Sequence, residues 1–256
     1  MCLILVSWHA HPDYPLVFAA NRDEFYARES APVHWWDTQP PVLAGRDLAP
    51  GAHGTWMGIT ADGRVAAVTN VREPGREVAD PRSRGELVAN YLLSQDDPAT
   101  YLERVQAAGE QYNGFNLLVA DHDELWWYSN RSGDPQVVKP GVHGVSNAAL
   151  DTPWPKVVNG IAGFTSVLQT DHGDGPVDPY LGLLADDTPA PDAELPATGI
   201  PRELERAVSS LFIATPEYGT RASTILRIRN DGSFDMTERV HSNTGEAVTR
   251  DFRQGY

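Results

Sequence analysis

Three times in this chain, two runs of strand-forming residues stand on either side of a short turn, and each such pair folds back on itself as an antiparallel hairpin. Thr55–Thr60 and Arg64–Asn70 flank Ala61-Asp62-Gly63, Gly114–Ala120 and Glu124–Ser129 flank Asp121-His122-Asp123, and Ser223–Arg229 and Ser233–Val240 flank Asn230-Asp231-Gly232. The apolar runs Cys2–Trp8 and Leu16–Ala20 read as a further hairpin across a loop broken by Pro12 and Pro15. That hairpin returns residues 21–24 toward the start of the first strand. Shorter strands are expected near Gln136–Val138, Gly141–Ser146 and Ala247–Phe252.

Helices come in separate runs. Ser83-Arg84-Gly85-Glu86 has the spacing of a capping box, with Leu87, Val88, Tyr91 and Leu92 as the apolar stripe behind it. Asp97-Pro98 supplies an N-cap and a first helical position for a second helix carrying Tyr101, Leu102 and Val105. Pro153–Leu168 and Pro201–Phe212 are the later helices; Pro155 confines the start of the former, and Gly160 and Gly163 weaken its middle. Pro32–Gly54 reads as ordered loop, and residues 171–200, rich in Asp, Gly, Pro and Ala, as a mobile insertion. Strands and helices in segregated runs predict an α+β fold of antiparallel sheets in one domain spanning 1–256.

A net charge of −15, from 20 Lys+Arg against 35 Asp+Glu, argues against nucleic-acid or anionic-membrane partners. The lysines are Lys139 and Lys156 alone; arginine carries the remaining positive charge. One cysteine excludes an internal disulfide, and the apolar opening is too short to span a bilayer, so a cytoplasmic home is the simplest expectation. Neither a dinucleotide-binding nor a Walker-type glycine loop is present.

That cysteine directly follows Met1. If the initiator methionine is removed, Cys2 carries both a thiol and a free α-amine, a nucleophile and a general base in one residue. The alternative is a small buried cysteine packed as a hydrophobe, and position alone leaves both open. Arg22 and Asp23, returned by the first hairpin, either lower the thiol pKa and hold or orient the amine, or form a charged turn with an internal ion pair. Asn70 and Asn147 each end a strand, where an amide NH₂ serves an oxyanion or a turn equally well. Arg221 enters a strand from a glycine turn, either for anion binding or for a surface ion pair. The tryptophans Trp35, Trp36, Trp56, Trp126, Trp127 and Trp154 suit an apolar ligand pocket or plain core packing.

The opening Met1-Cys2-Leu3-Ile4-Leu5 with Asn21-Arg22-Asp23-Glu24 resembles the NRDE family, also called the transport and Golgi organization protein 2 family. Gly54–Gly58, Ala67–Asn70, Ser83–Gly85, His143–Asn147 with Asp151–Lys156, and Tyr218–Thr224 extend the resemblance over nearly the whole chain; His53 stands where a glycine is usual. The family is similar in pattern to N-terminal-nucleophile hydrolases of the cholylglycine hydrolase and penicillin V acylase group. The resemblance implies a four-layer αββα sandwich and a catalytic set of Cys2, Arg22, Asp23, Asn70, Asn147 and Arg221 acting on a small-molecule amide. It also implies the competing role, a carrier of haem or another hydrophobic ligand such as a lipid. His9, His11, His53 and His143 are the imidazoles available to haem, while the hydrolase reading needs no cofactor or metal.

Overall fold

In the computed structural model, which describes residues 2–242 and 244–255, all named strand pairings are antiparallel, as the short turns require. The strands are β1 (Cys2–Trp8), β2 (Leu16–Phe25), β3 (Ser30–Trp36), β4 (Val42–Asp47), β5 (Met57–Thr60), β6 (Val65–Asn70), β7 (Phe115–Ala120), β8 (Leu125–Ser129), β9 (Gln136–Val137), β10 (Gly141–Val145), β11 (Tyr218–Ile228), β12 (Phe234–His241) and β13 (Ala247–Gln254). The helices are α1 (Gly85–Leu93), α2 (Pro98–Ala107), α3 (Pro155–Thr170), α4 (Asp178–Leu184) and α5 (Arg202–Ala207).

Two compact units result, each drawn from separated stretches, so no single cut in the sequence divides them. The first takes the chain through Ala27, Pro140–Ser146 and everything from Leu150 onward; the second takes Arg28–Lys139 and Asn147–Ala149. The first holds a six-stranded sheet ordered β10-β1-β2-β11-β12-β13. Helix α3 lies against β1 and β10, and α4 against β2 and β11. Strand periodicity turns Leu3, Leu5, Val17, Ala19 and Ile225 toward these helices, where they meet Val157, Phe164, Leu168, Tyr180, Leu181 and Leu184. The two glycines of α3 serve this packing. A Cβ on Gly160 would stand 2.9 Å from Leu5 Cδ2, and one on Gly163 would stand 2.4 Å from Leu183 Cδ1. The helix tolerates them because their bareness admits a leucine from the sheet and another from α4.

The second unit holds a seven-stranded sheet in simple chain order, β3 to β9. Helix α1 covers β5 and β6, and α2 covers β8. Val42, Ala44, Ala66, Val68, Leu117 and Val119 pack there on Leu87, Val88, Tyr91, Leu92 and Tyr101.

Three expectations need correction. Pro32–Gly54 is not loop: β3 and β4 pair within it, with Trp36, Val42 and Ala44 in the core. Pro32 is tolerated because β3 is an edge strand whose register shifts between Ala31 and His34, which hides the alternation. The capping box does not form, because Glu86 accepts from Tyr112 and pairs with Arg82 instead. Helix α5 stops at Ala207 rather than Phe212. Beyond it Ser209 Oγ donates to Arg206 O, Ser210 Oγ donates to Phe212 O, and Leu211 O accepts from Asn21, so the hydroxyls and the strand claim the backbone. Residues 171–200, expected as a mobile insertion, contain α4, whose Tyr180, Leu181 and Leu184 are buried.

Candidate active site

Cys2 opens β1, an entirely buried strand, and is itself only 7% exposed. Its register partner on β2 is Arg22, because β2 runs on to Phe25 and carries Asn21–Glu24 inside the sheet rather than in a turn beyond it. Pairing therefore delivers the predicted proximity. Successive strand residues face opposite ways, so Arg22 shares the face of the Cys2 side chain while Asp23 points toward the helices. Arg22 Nη1 is buried with no hydrogen-bond partner among the described residues.

Asp23 is 1% exposed and held from three sides. Its register partner Thr220 donates from Oγ1 to Oδ1 at 2.8 Å, Tyr218 Oη donates to its carbonyl at 2.9 Å, and Lys156 Nζ stands 3.9 Å from Oδ2. Lys156 sits in the first turn of α3, just after Pro155, and is 2% exposed. Burial pushes the Asp23 carboxyl above its ordinary pKa, against the lowering pull of Lys156, the N-terminal positive charge, the Thr220 hydroxyl and Arg22. Burial likewise raises the Cys2 thiol, and the Asp23 charge adds to this. The N-terminal charge, the Asp23 backbone N–H and Arg22 pull the other way. On the neighbouring edge, Ser146 Oγ donates to the Cys2 carbonyl at 2.9 Å and fixes the strand end.

Arg221 lies where β11 shifts register between Thr220 and Ala222. Its Nη1 donates to the carbonyls of Phe25 and Tyr26 at 2.9 and 3.1 Å, so the guanidinium braces the end of β2. Burial and then the like charge of Arg22 lower its pKa. Cys2, Arg22, Asp23 and Arg221 thus gather in the first unit.

Asn70 and Asn147 gather in the second. Asn70 is the last residue of β6, and Asn147 is 1% exposed, two residues beyond β10. Asn147 Nδ2 donates to the Asn70 carbonyl at 2.9 Å, and Arg72 N–H donates to the Asn147 carbonyl at 2.8 Å. Asn116, absent from the sequence expectation, secures the same segment by donating to Thr69 Oγ1 and to the Ala148 carbonyl. Sequence reasoning also missed Lys156, Thr220 and Ser146, although all three lie within motifs that carried the resemblance.

His11 contacts the Asp171 carbonyl, His143 bonds Asp151 at 2.7 Å, and His9 and His53 are exposed. Among the described residues no group of three or more His, Cys, Asp or Glu side chains is arranged to hold a metal ion. Trp36 is a core residue whose Nε1 donates to the Ala44 carbonyl, and Trp127 is buried on β8. No described helix is long and apolar enough to cross a membrane.

A family model for Transport and Golgi organisation 2 matches residues 1–243. The chain belongs to that family. The Transport and Golgi organization protein 2 homolog of Bos taurus is 38% identical over 99% of both chains, and its Homo sapiens counterpart is 36% identical over 93% of this chain and 92% of the relative. Among solved structures, a C2A mutant of the conjugated bile acid hydrolase from Clostridium perfringens is similar with a TM-score of 0.56 and 9% identity, over 100% of this chain and 97% of that one. This family member therefore has the fold of that hydrolase, with two antiparallel sheets and accompanying helices in an αββα arrangement.

Proposed function

We propose that this protein is an N-terminal-cysteine hydrolase of carbon–nitrogen amide bonds in small molecules. One observation carries the reading: the chain's only cysteine begins a buried strand directly opposite Arg22, with the buried Asp23 beside it. The hydrolase whose fold it shares was solved with residue 2 changed from cysteine to alanine, which supports a cysteine at that position as the reacting group.

Removal of Met1 frees the Cys2 α-amine. The thiol passes its proton to that amine as sulfur attacks the amide carbonyl carbon. The amine then protonates the leaving nitrogen, the C–N bond breaks and a thioester remains. Water cleaves the thioester, releasing a carboxylic acid and restoring the thiol. Arg22, whose Nη1 has no hydrogen-bond partner among the described residues, lies opposite Cys2 in register and favours anionic charge there. Asn70 and Asn147 are assigned to the oxyanion on the strength of the resemblance.

The test combines intact mass with turnover on a panel of N-acyl amides. The expected result is a chain lacking Met1 that turns over, and a Cys2→Ala variant that folds normally without turnover. A fully active Cys2→Ala variant overturns the proposal. So does a chain that retains Met1 and binds haem stoichiometrically with a discrete Soret shift, the behaviour of a carrier.

A further inference from the structure

Lysine is scarce in this chain, and one of its two lysines is buried. Lys156 is 2% exposed and Asp23 is 1% exposed, and their charged ends stand 3.9 Å apart. A buried ammonium is costly to desolvate and persists only where a compensating charge faces it. Here that charge is the carboxylate beside the nucleophile. An exposed Arg–Asp pair satisfies surface electrostatics at lower cost, so burial of this pair at this place calls for a reason.

We propose that Lys156 is a positioning residue of the Cys2 centre: its ammonium holds Asp23 as a carboxylate and, through it, sets the protonation of the Cys2 amine and thiol. The inference rests on the N-terminal-cysteine reading above.

Among the described residues, groups from β11 and α3 meet the two oxygens of Asp23. Its Oδ1 is occupied by the Thr220 hydroxyl, and its Oδ2 faces Lys156. In the chain that carries Met1 its N-terminal charge and Arg22 also bear on Asp23, while Arg221 from β11 bears on Arg22; removal of Met1 moves that amine onto Cys2. Without Lys156, a buried carboxylate next to a free α-amine satisfies itself by drawing a proton onto that amine. An α-ammonium is no longer a base. With Lys156 in place, Asp23 is already neutralised, and the added positive charge opposes protonation of the amine. Arginine supplies nearly all positive charge elsewhere in the chain, but a compact ammonium on a straight stem suits a single buried carboxylate oxygen.

The experiment uses the processed chain, with loss of Met1 verified by mass, and follows the rate of Cys2 alkylation by iodoacetamide from pH 5 to 10. Lys156→Met is expected to move the midpoint of that profile upward by about one pH unit or more, and Lys156→Arg to leave it within a few tenths. A Lys156→Met profile that overlays the wild type overturns the proposal while leaving the catalytic reading intact. A shift as large in Lys156→Arg also overturns it, since charge would then not be the property used. A wild-type Cys2 inert at every pH overturns the catalytic reading and this one with it. Should Lys156→Met fail to fold, the wild type alone decides. Labelling the two lysines with ¹⁵N gives one Nζ signal for exposed Lys139 and one for Lys156. Lys156 protonated throughout the Cys2 transition supports the proposal, and a neutral Lys156 refutes it.

Discussion

Replacing Arg227 with methionine removes the hub of a buried charge network in the first unit. Arg227 Nε donates to Asp235 Oδ2 at 2.9 Å, and Nη1 donates to Asp171 Oδ2 at 3.1 Å and to the Gly175 carbonyl at 2.8 Å. The Arg227 and Asp171 side chains are 4% and 3% exposed, so water cannot replace what is lost. Asp235 retains Arg229 at 2.6 Å, and among the described residues Asp171 retains the Tyr180 hydroxyl and the Gly173 N–H. Breaking a buried pair from one side costs about 3–5 kcal/mol, because the remaining charge is stranded. In a chain of this length that lowers Tm by about 10 °C.

The pH dependence gives a sharper check. Burial alone would raise the Asp171 carboxyl, but the hydrogen bonds from Tyr180 and Arg227 overcome it and hold it below the ordinary range. A lowered folded pKa means that Asp171 contributes stability above the unfolded value of about 4, and loses it as pH falls through the folded one. The gap between wild type and Arg227→Met, measured by urea unfolding, should therefore be full at pH 7 and shrink below about pH 4. A gap under about 1 kcal/mol at pH 7, or one unchanged down to pH 3, would falsify the assignment of Arg227 as the hub.

Gly54→Ala should cost about 3 kcal/mol or prevent folding, because its Cβ would lie 2.2 Å from the Gly85 carbonyl carbon and neither backbone can yield. Gly182→Ala, with open space around its Cβ inside α4, should instead raise stability by about 0.5–1 kcal/mol; thermal melts of both variants check the pair. Asp97→Ala removes the side-chain cap on Thr100 N–H and should cost about 1 kcal/mol in the same assay. In chains that retain Met1, Cys2 alkylation should be slow at pH 7 and accelerate only above the ordinary thiol range, since burial raises its pKa; fast labelling at neutral pH contradicts this.

Turn chemistry made most of the sheet legible, since hairpins at Ala61–Gly63, Asp121–Asp123 and Asn230–Gly232 leave the chain little choice of pairing partner. The association of Cys2 with Arg22 was legible for the same reason, as a matter of register. Strands β3 and β4 were not, because a proline and a register shift erased their period. Lys156 escaped for a different cause. Sequence patterns report what a helix face prefers, and lysine prefers water, so its burial beside Asp23 depends on strands brought together from opposite ends of the chain. Its rarity among arginines and its place in the Asp151–Lys156 motif were the available signals.

Asp23 and the Thr220 that anchors it are 197 residues apart along the chain. During synthesis the hairpin of β1 and β2 emerges well before β11, which covers the second edge of β2. At about 5–20 residues per second, that edge stays unpaired for about 10–40 s. Throughout that interval the nascent chain exposes a strongly apolar strand edge to neighbours and chaperones, and Asp23 has not yet gained the hydroxyl that anchors it. The surroundings of Cys2 are therefore completed only once β11 has been made, long after Cys2 itself.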